Sequence, residues 1–158
     1  MPAALYLSMN SLRLMFEEDD DHTGELFAEV SANGFSGHGS AWFDCANLLS
    51  LIERLNEYPI PKDNFPVIEG GFWDSSTDDV KLKQEHLHLS FYPIESRGQI
   101  GVRVRLSQEE WPDTRKDSVH KVDVEFNSSY EELSKFASRF RQLIEGKTTE
   151  VVLNESKI

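Results

Sequence analysis

Cysteine is nearly absent. Cys45 stands alone, which excludes an internal disulfide and any zinc site built from several thiolates, and agrees with a reducing compartment. No apolar run approaches the ~20 residues that span a bilayer. Residues 1–8 have neither the positive flank nor the long apolar stretch of a signal peptide. The expectation is a cytoplasmic protein, neither inserted nor exported. Positive charge is scarce in one place only: residues 1–79 hold 15 Asp or Glu against Arg13, Arg54 and Lys62, whereas residues 80–158 hold 13 acids and 13 bases. The net charge of −12 therefore lies wholly in the first half. A field of that sign repels nucleic acid and anionic membrane and speeds encounter with a basic protein. Acidic surface also keeps a protein in solution, and charge alone leaves that reading equally open.

Catalytic signatures are missing too. There is no phosphate-cradling glycine loop, no serine elbow and no metalloprotease helix. What is present is enough to fold: 39% hydrophobic and 11% aromatic residues are too many for a disordered acidic chain. The length of 158 residues suits one domain over 1–158, with a core at 10–146 and a tail at 147–158 that lies on the body or adds an edge strand.

Hydrophobic periodicity orders the elements. Leu12, Leu14 and Phe16 alternate with polar neighbours as in a half-buried strand, ending at the acidic run Glu17, Glu18, Asp19, Asp20, Asp21, which reads as a loop. Leu26, Ala28 and Val30 mark a second strand. Asn33-Gly34 supplies a tight hairpin turn, and a third strand carries Phe35, Gly37, Gly39, Ala41 and Phe43 on one face. Gly37 and Gly39 suggest close approach of something to that face, with the next helix as the expected neighbour. Asp44 is a plausible N-cap for a helix over about 46–57, stopped by Pro59 and Pro61. Residues 59–79 have no clear period and read as a long loop. Strands follow around Leu87–Phe91, Ile100–Leu106 and Val122–Phe126, with a turn at Arg97-Gly98 and a polar loop at 108–118. Ser129 and Glu132 have capping-box spacing ahead of a helix bearing Leu133, Phe136 and Phe140. The order predicts an α+β fold: one antiparallel β-sheet of about six strands with two helices packed on one face.

Few constellations suggest chemistry. His86 and His88 alternate on one strand, and His38 or His120 could add nitrogens, but no spacing specifies a ligand set; no metal and no cofactor are expected. Cys45, at a helix start beside the Asp44 carboxylate, reads as a small buried hydrophobe. Phe72 and Trp73 next to Asp74, Asp78 and Asp79 are different. Aromatics inside an acidic loop are what a docking site for a basic protein needs, the ring as anchor and the charges for steering. The opposing reading folds both rings back onto the sheet.

Asn33-Gly34-Phe35-Ser36-Gly37, the following Trp42-Phe43, the leucine-rich helix at 46–57 and Glu69-Gly70 also occur together in a known pattern. It continues with a strand pair at 85–106, the strand Val122–Phe126 and a closing helix with Leu133 and Phe140. Over residues 10–146 the chain resembles the WapI-like bacterial immunity proteins, which serve wall-associated polymorphic toxins. The resemblance implies a non-catalytic protein that neutralises a cognate toxin domain, commonly an RNA nuclease, by binding it. Such a partner would be basic. The expected contact residues are Glu17, Glu18, Asp19, Asp20, Asp21, Phe72, Trp73, Asp74, Asp78 and Asp79, taken from charge and aromatic content. The alternatives are a structural or regulatory domain with another partner, and a small enzyme or ligand carrier.

Overall fold

The computed structural model describes residues 9–94 and 98–156. Residues 1–8, and Arg97 of the expected Arg97-Gly98 turn, lie outside that range. Among the described residues eight strands form two antiparallel sheets of four. The first has the order β3-β2-β1-β8, from β1 (Ser11–Glu18), β2 (Thr23–Ala32), β3 (Phe35–Asp44) and β8 (Val151–Asn154). The second has the order β4-β5-β6-β7, from β4 (Val67–Asp74), β5 (Lys81–Ile94), β6 (Gln99–Ser107) and β7 (Lys121–Ser129). Helix α1 (Cys45–Glu53) follows β3 and helix α2 (Tyr130–Ile144) follows β7.

The α+β class and the antiparallel pairing match the periodicities; the single six-stranded sheet does not. Alternation marks a strand without naming its neighbours, and the chain changes sheet across α1 and the proline-bearing segment 57–66. The tail adds β8, whose Leu153 and Val151 pair with Leu12 and Leu14 of β1.

How the sheets meet follows from two glycines. A Cβ on Gly37 would lie 2.7 Å from the Val122 side chain of β7. One on Gly39 would lie 3.2 Å from Leu106 of β6 and 3.3 Å from the His86 carbonyl of β5. Further along β3, Ala41 and Phe43 press on Gly70 of β4. Gly70, Leu87, Leu106 and Val122 are one cross-strand row of the second sheet. β3 thus runs across those strands, the orthogonal way of packing sheets. The expected close approach is real, but the neighbour is a sheet and not the helix.

Orthogonal sheets leave an open angle, and the helices fill it. α2 touches β1 and β8 of one sheet and β7 of the other, while Phe136 meets Phe91 of β5 with ring centres 6.2 Å apart. The expectation of helices backing one face of one sheet is corrected accordingly. Local signals behaved as their chemistry requires: Asp44 accepts from the Asn47 amide at 2.9 Å and Ser129 from the Glu132 amide at 3.1 Å, each satisfying a first-turn donor. Asn33 and Gly34 take φ of 52° and 87°, the left-handed turn that a two-residue hairpin needs.

One expected loop is partly a strand. β4 lies inside 59–79, and its alternation is hidden by register breaks at Gly70/Gly71 and Phe72/Trp73. At the first break Gly70 pairs with Leu87 and Gly71 with Glu85, leaving His86 as the extra residue of a β-bulge. A bulge reverses the in–out phase of the strand beyond it. Glu85, whose spacing groups it with Leu87, is turned to the opposite face.

Candidate functional site

The outer face of the second sheet carries a polar network drawn from all four of its strands. Glu69 comes from β4, Glu85, His88, Ser90 and Tyr92 from β5, Arg103 and Arg105 from β6, Asp123 and Glu125 from β7. A concavity of about 840 Å³ lies on it, walled on one side by Lys62 and Phe65 of the preceding segment. Phe65 packs on Tyr92 at 5.3 Å between ring centres. Arg105 binds Glu85 through two nitrogens at 2.9 and 3.2 Å and reaches His88 Nδ1 at 3.1 Å. Arg103 bridges Asp123 at 2.8 Å and Glu125 at 3.2 Å. Tyr92 donates to Glu125, and burial followed by that bond pushes its hydroxyl up to about 12.

His88 is the buried centre, 7% exposed. Burial first, and the Arg105 charge second, hold it below the ordinary histidine value, so it is neutral at pH 7. Nδ1 meets the Arg105 guanidinium at 3.1 Å and the Glu85 and Glu69 carboxylates at 3.3 and 3.5 Å, while Nε2 lies 3.0 Å from Ser90 Oγ. Glu69, Glu85 and His88 offer three ligand atoms within 4.8 Å of one another. The Arg105 guanidinium already supplies the positive charge among them, which disfavours a divalent cation there. His86, on the bulge, is held instead by Gln84 and packs edge-on to Phe72 at 4.5 Å. The strand pairing of His86 with His88 is thus broken by the bulge. His38 and His120 line a separate concavity of about 380 Å³. For Cys45, burial and then Glu18 raise the thiol above its usual value, which keeps it from acting as a thiolate.

A pH dependence follows. His86 is also lowered, chiefly by burial. As pH falls below the unfolded value of about 6.5, the unfolded chain takes up protons that both folded histidines refuse. Their contribution to stability is then fully present above about pH 6.5 and lost as the pH falls below it. Denaturant titrations at pH 7.5 and 5.5 should show wild type losing more than His88→Asn; equal losses would contradict the assignment. Arg105→Met removes a lowering charge and leaves Glu69 and Glu85, so the His88 ring should titrate higher by NMR.

The residues expected from charge and aromatic content fall into two places. Glu17 and Glu18 are not loop but the end of β1, opposite Glu25 and Gly24. Asp19, Asp20 and Asp21 form the turn that follows, where Asp21 accepts from Thr23 Oγ1 at 2.6 Å and is held below the usual carboxylate range mainly by that bond. Phe72, Trp73 and Asp74 end β4, and Asp78 and Asp79 sit in the turn to β5. Trp73 is 49% exposed, whereas Phe72 is half-buried between His86 and Trp111, the latter at 5.1 Å. Among the described residues no hydrogen bond or ion pair joins the two turns. Sequence reasoning passed over Trp111, which stacks on the β4–β5 hairpin while Gln84 latches its loop through the Glu110 amide and carbonyl at 2.7 and 3.1 Å.

Ion pairing sets one acidic block apart. Arg13, Arg54, Arg103, Arg105, Arg115 and Arg141 all sit in salt bridges. Among the described residues Glu17, Glu18, Asp19, Asp20, Asp21 and Glu25 have none, and Glu17 faces Glu25 directly across the ladder. Like charges in that position are destabilising.

Compared with protein-family models, curated proteins and solved structures, the chain matches none.

Proposed function

We propose that this chain is a non-catalytic protein-binding module, an inhibitor that neutralises a basic toxin domain by direct contact, as the WapI-like resemblance implies. One observation carries the reading: a block of carboxylates at the β1–β2 end stands without ion-pair partners among the described residues, while the neighbouring arginines are matched. Uncompensated charge of one sign raises the encounter rate with an oppositely charged protein. Trp73 and Trp111 at the β4–β5 end supply the exposed rings that anchor such contacts. The polar cluster around His88 supports the same view, since Arg103 and Arg105 are already held in ion pairs within it. Cytoplasmic residence belongs to this proposal.

The test is coexpression with the C-terminal domain of a large secreted protein encoded immediately upstream. Growth arrest by that domain should be relieved and a stable complex recovered. Trp73→Ala should speed dissociation at least about tenfold, as loss of a hot spot does, with little change in association. Arrest that persists, or an upstream metabolic operon instead of a secreted protein, would favour a ligand carrier or enzyme.

A further inference from the structure

Two sheets have four edges, and three of these are closed to another strand. β8 has four residues and is tied to β7 by Ser128 Oγ donating to the Asn154 carbonyl at 3.0 Å and the Ser156 amide donating to the Asn127 carbonyl at 3.1 Å. β4 is broken twice in register. β7 turns Lys121, Asp123 and Glu125 outward. Shortness, bulges and charge are the usual means of blunting an edge. β3 has none of them. Its ten residues pair with β2 without a break, they include no Pro, Lys or Arg, and the sole acid is the terminal Asp44.

The hairpin dictates which groups are free. The two-residue turn Asn33-Gly34 makes Ala32–Phe35 a hydrogen-bonded pair, and the ladder alternates from there. Gly37, Gly39, Ala41 and Phe43 therefore bond to β2, and the amides and carbonyls of Ser36, His38, Ser40 and Trp42 point away from it. Among the described residues these four have no backbone partner. The concavity of about 380 Å³ runs beside Ser36 and His38, with Leu106 and Val122 among its lining. Phe35 and Trp42, 68% and 54% exposed, bracket the edge.

We propose that the free edge of β3 receives an extended segment of a basic protein as a fifth strand of the first sheet. Charge selects the occupant. The Asp44 end of β3 adjoins the Asp19–Asp21 turn, the Cys45 amide donating to the His22 carbonyl at 2.9 Å. Glu25 lies on β2 opposite Trp42 and has no ion pair among the described residues, accepting only from Ser40 Oγ at 2.7 Å, whereas Glu29, opposite His38, is already paired with Arg13 at 2.6 Å. A second copy of this chain would bring like charge to those carboxylates, whereas alternate Lys or Arg of a basic strand would meet them. The other side chains of that strand would face Leu106 and Val122. Backbone pairing supplies the affinity and alternate side chains the selection. The inference rests on the basic-partner reading and adds the mode of contact.

The experiment uses the whole protein and three peptides: Lys-Val-Thr-Val-Lys-Val-Thr, the same peptide N-methylated at alternate residues, and its Glu-for-Lys analogue. Amide exchange is read by NMR. At nine times its Kd the lysine peptide should slow the Ser36, His38, Ser40 and Trp42 amides about tenfold, following one plus ligand over Kd. The methylated peptide should not. His38→Pro should abolish the effect, because proline is tolerated where an edge N–H faces outward; its fold is checked by thermal melting, and the methylated peptide tests the same point on wild type. Equal slowing by the methylated peptide, slowing confined to residues 72–79, or no slowing by any peptide overturns the edge proposal. Slowing of the same four amides by the glutamate peptide keeps the edge and overturns the basic partner.

Discussion

Phe136→Ala is expected to cost about 3–5 kcal/mol of folding stability, the range for removing a buried aromatic ring from a packed core. Phe136 is fully buried and lies between Phe91 of β5 and Phe140 of its own helix, at 6.2 and 5.5 Å between ring centres. It sits where α2 fills the angle between two crossing sheets. A cavity there has walls on three elements, each held by its own hydrogen-bonded ladder or helix, so collapse around it is limited and the cost should fall high in the range. Urea denaturation measures it. A loss below about 1.5 kcal/mol, the scale of a volume-conserving core change, would mean that the helix does not occupy that angle.

Gly71→Ala should be nearly as damaging for a different reason. Its Cβ would stand 1.9 Å from the Gln84 carbonyl oxygen and 2.9 Å from the His86 amide nitrogen. Both are backbone atoms, so no rotamer change relieves the contact and the bulge itself must move. Overpacking costs about 1–3 kcal/mol, occasionally more, and the backbone clash places this substitution at the upper end. A second readout separates loss of the bulge from general destabilisation. The bulge aims Glu85 at Arg105, so its loss frees the guanidinium and shifts the His88 ring resonance in NMR spectra. An unaltered His88 titration in Gly71→Ala would contradict that coupling.

The parts legible in the sequence were those governed by local chemistry. Asp44 and Ser129 cap because a short oxygen side chain before an apolar-periodic run has few other uses. Asn33-Gly34 turns because both residues tolerate positive φ. What stayed hidden depends on contacts between distant segments. Gly37 and Gly39 announced a close neighbour, yet nothing in their own stretch separates a helix from the row Gly70, Leu87, Leu106, Val122. β4 was obscured because its two register breaks interrupt the alternation by which strands are recognised. Glu85 was placed on the wrong face by the same bulge, and the His88 cluster went unseen with it. A glycine pair followed by two aromatics, Gly70-Gly71-Phe72-Trp73, was the available signal for a bulged strand. The charge asymmetry needed no structure to find; that the carboxylates of residues 17–21 and Glu25 stand without ion pairs among the described residues did.

The central claim is that an unpaired acidic end steers a basic partner. The most direct measurement is the association rate with the upstream-encoded toxin domain across ionic strength from about 0.01 to 1 M, over which the screening length falls from ~30 to ~3 Å. Wild type should associate fastest at low salt and slow steeply as salt rises. Asp19→Asn, Asp20→Asn and Asp21→Asn combined should start slower and show a flatter dependence, with dissociation little changed. Association insensitive to salt, or binding weakened only by substitutions of Arg103 and Arg105, would contradict the account.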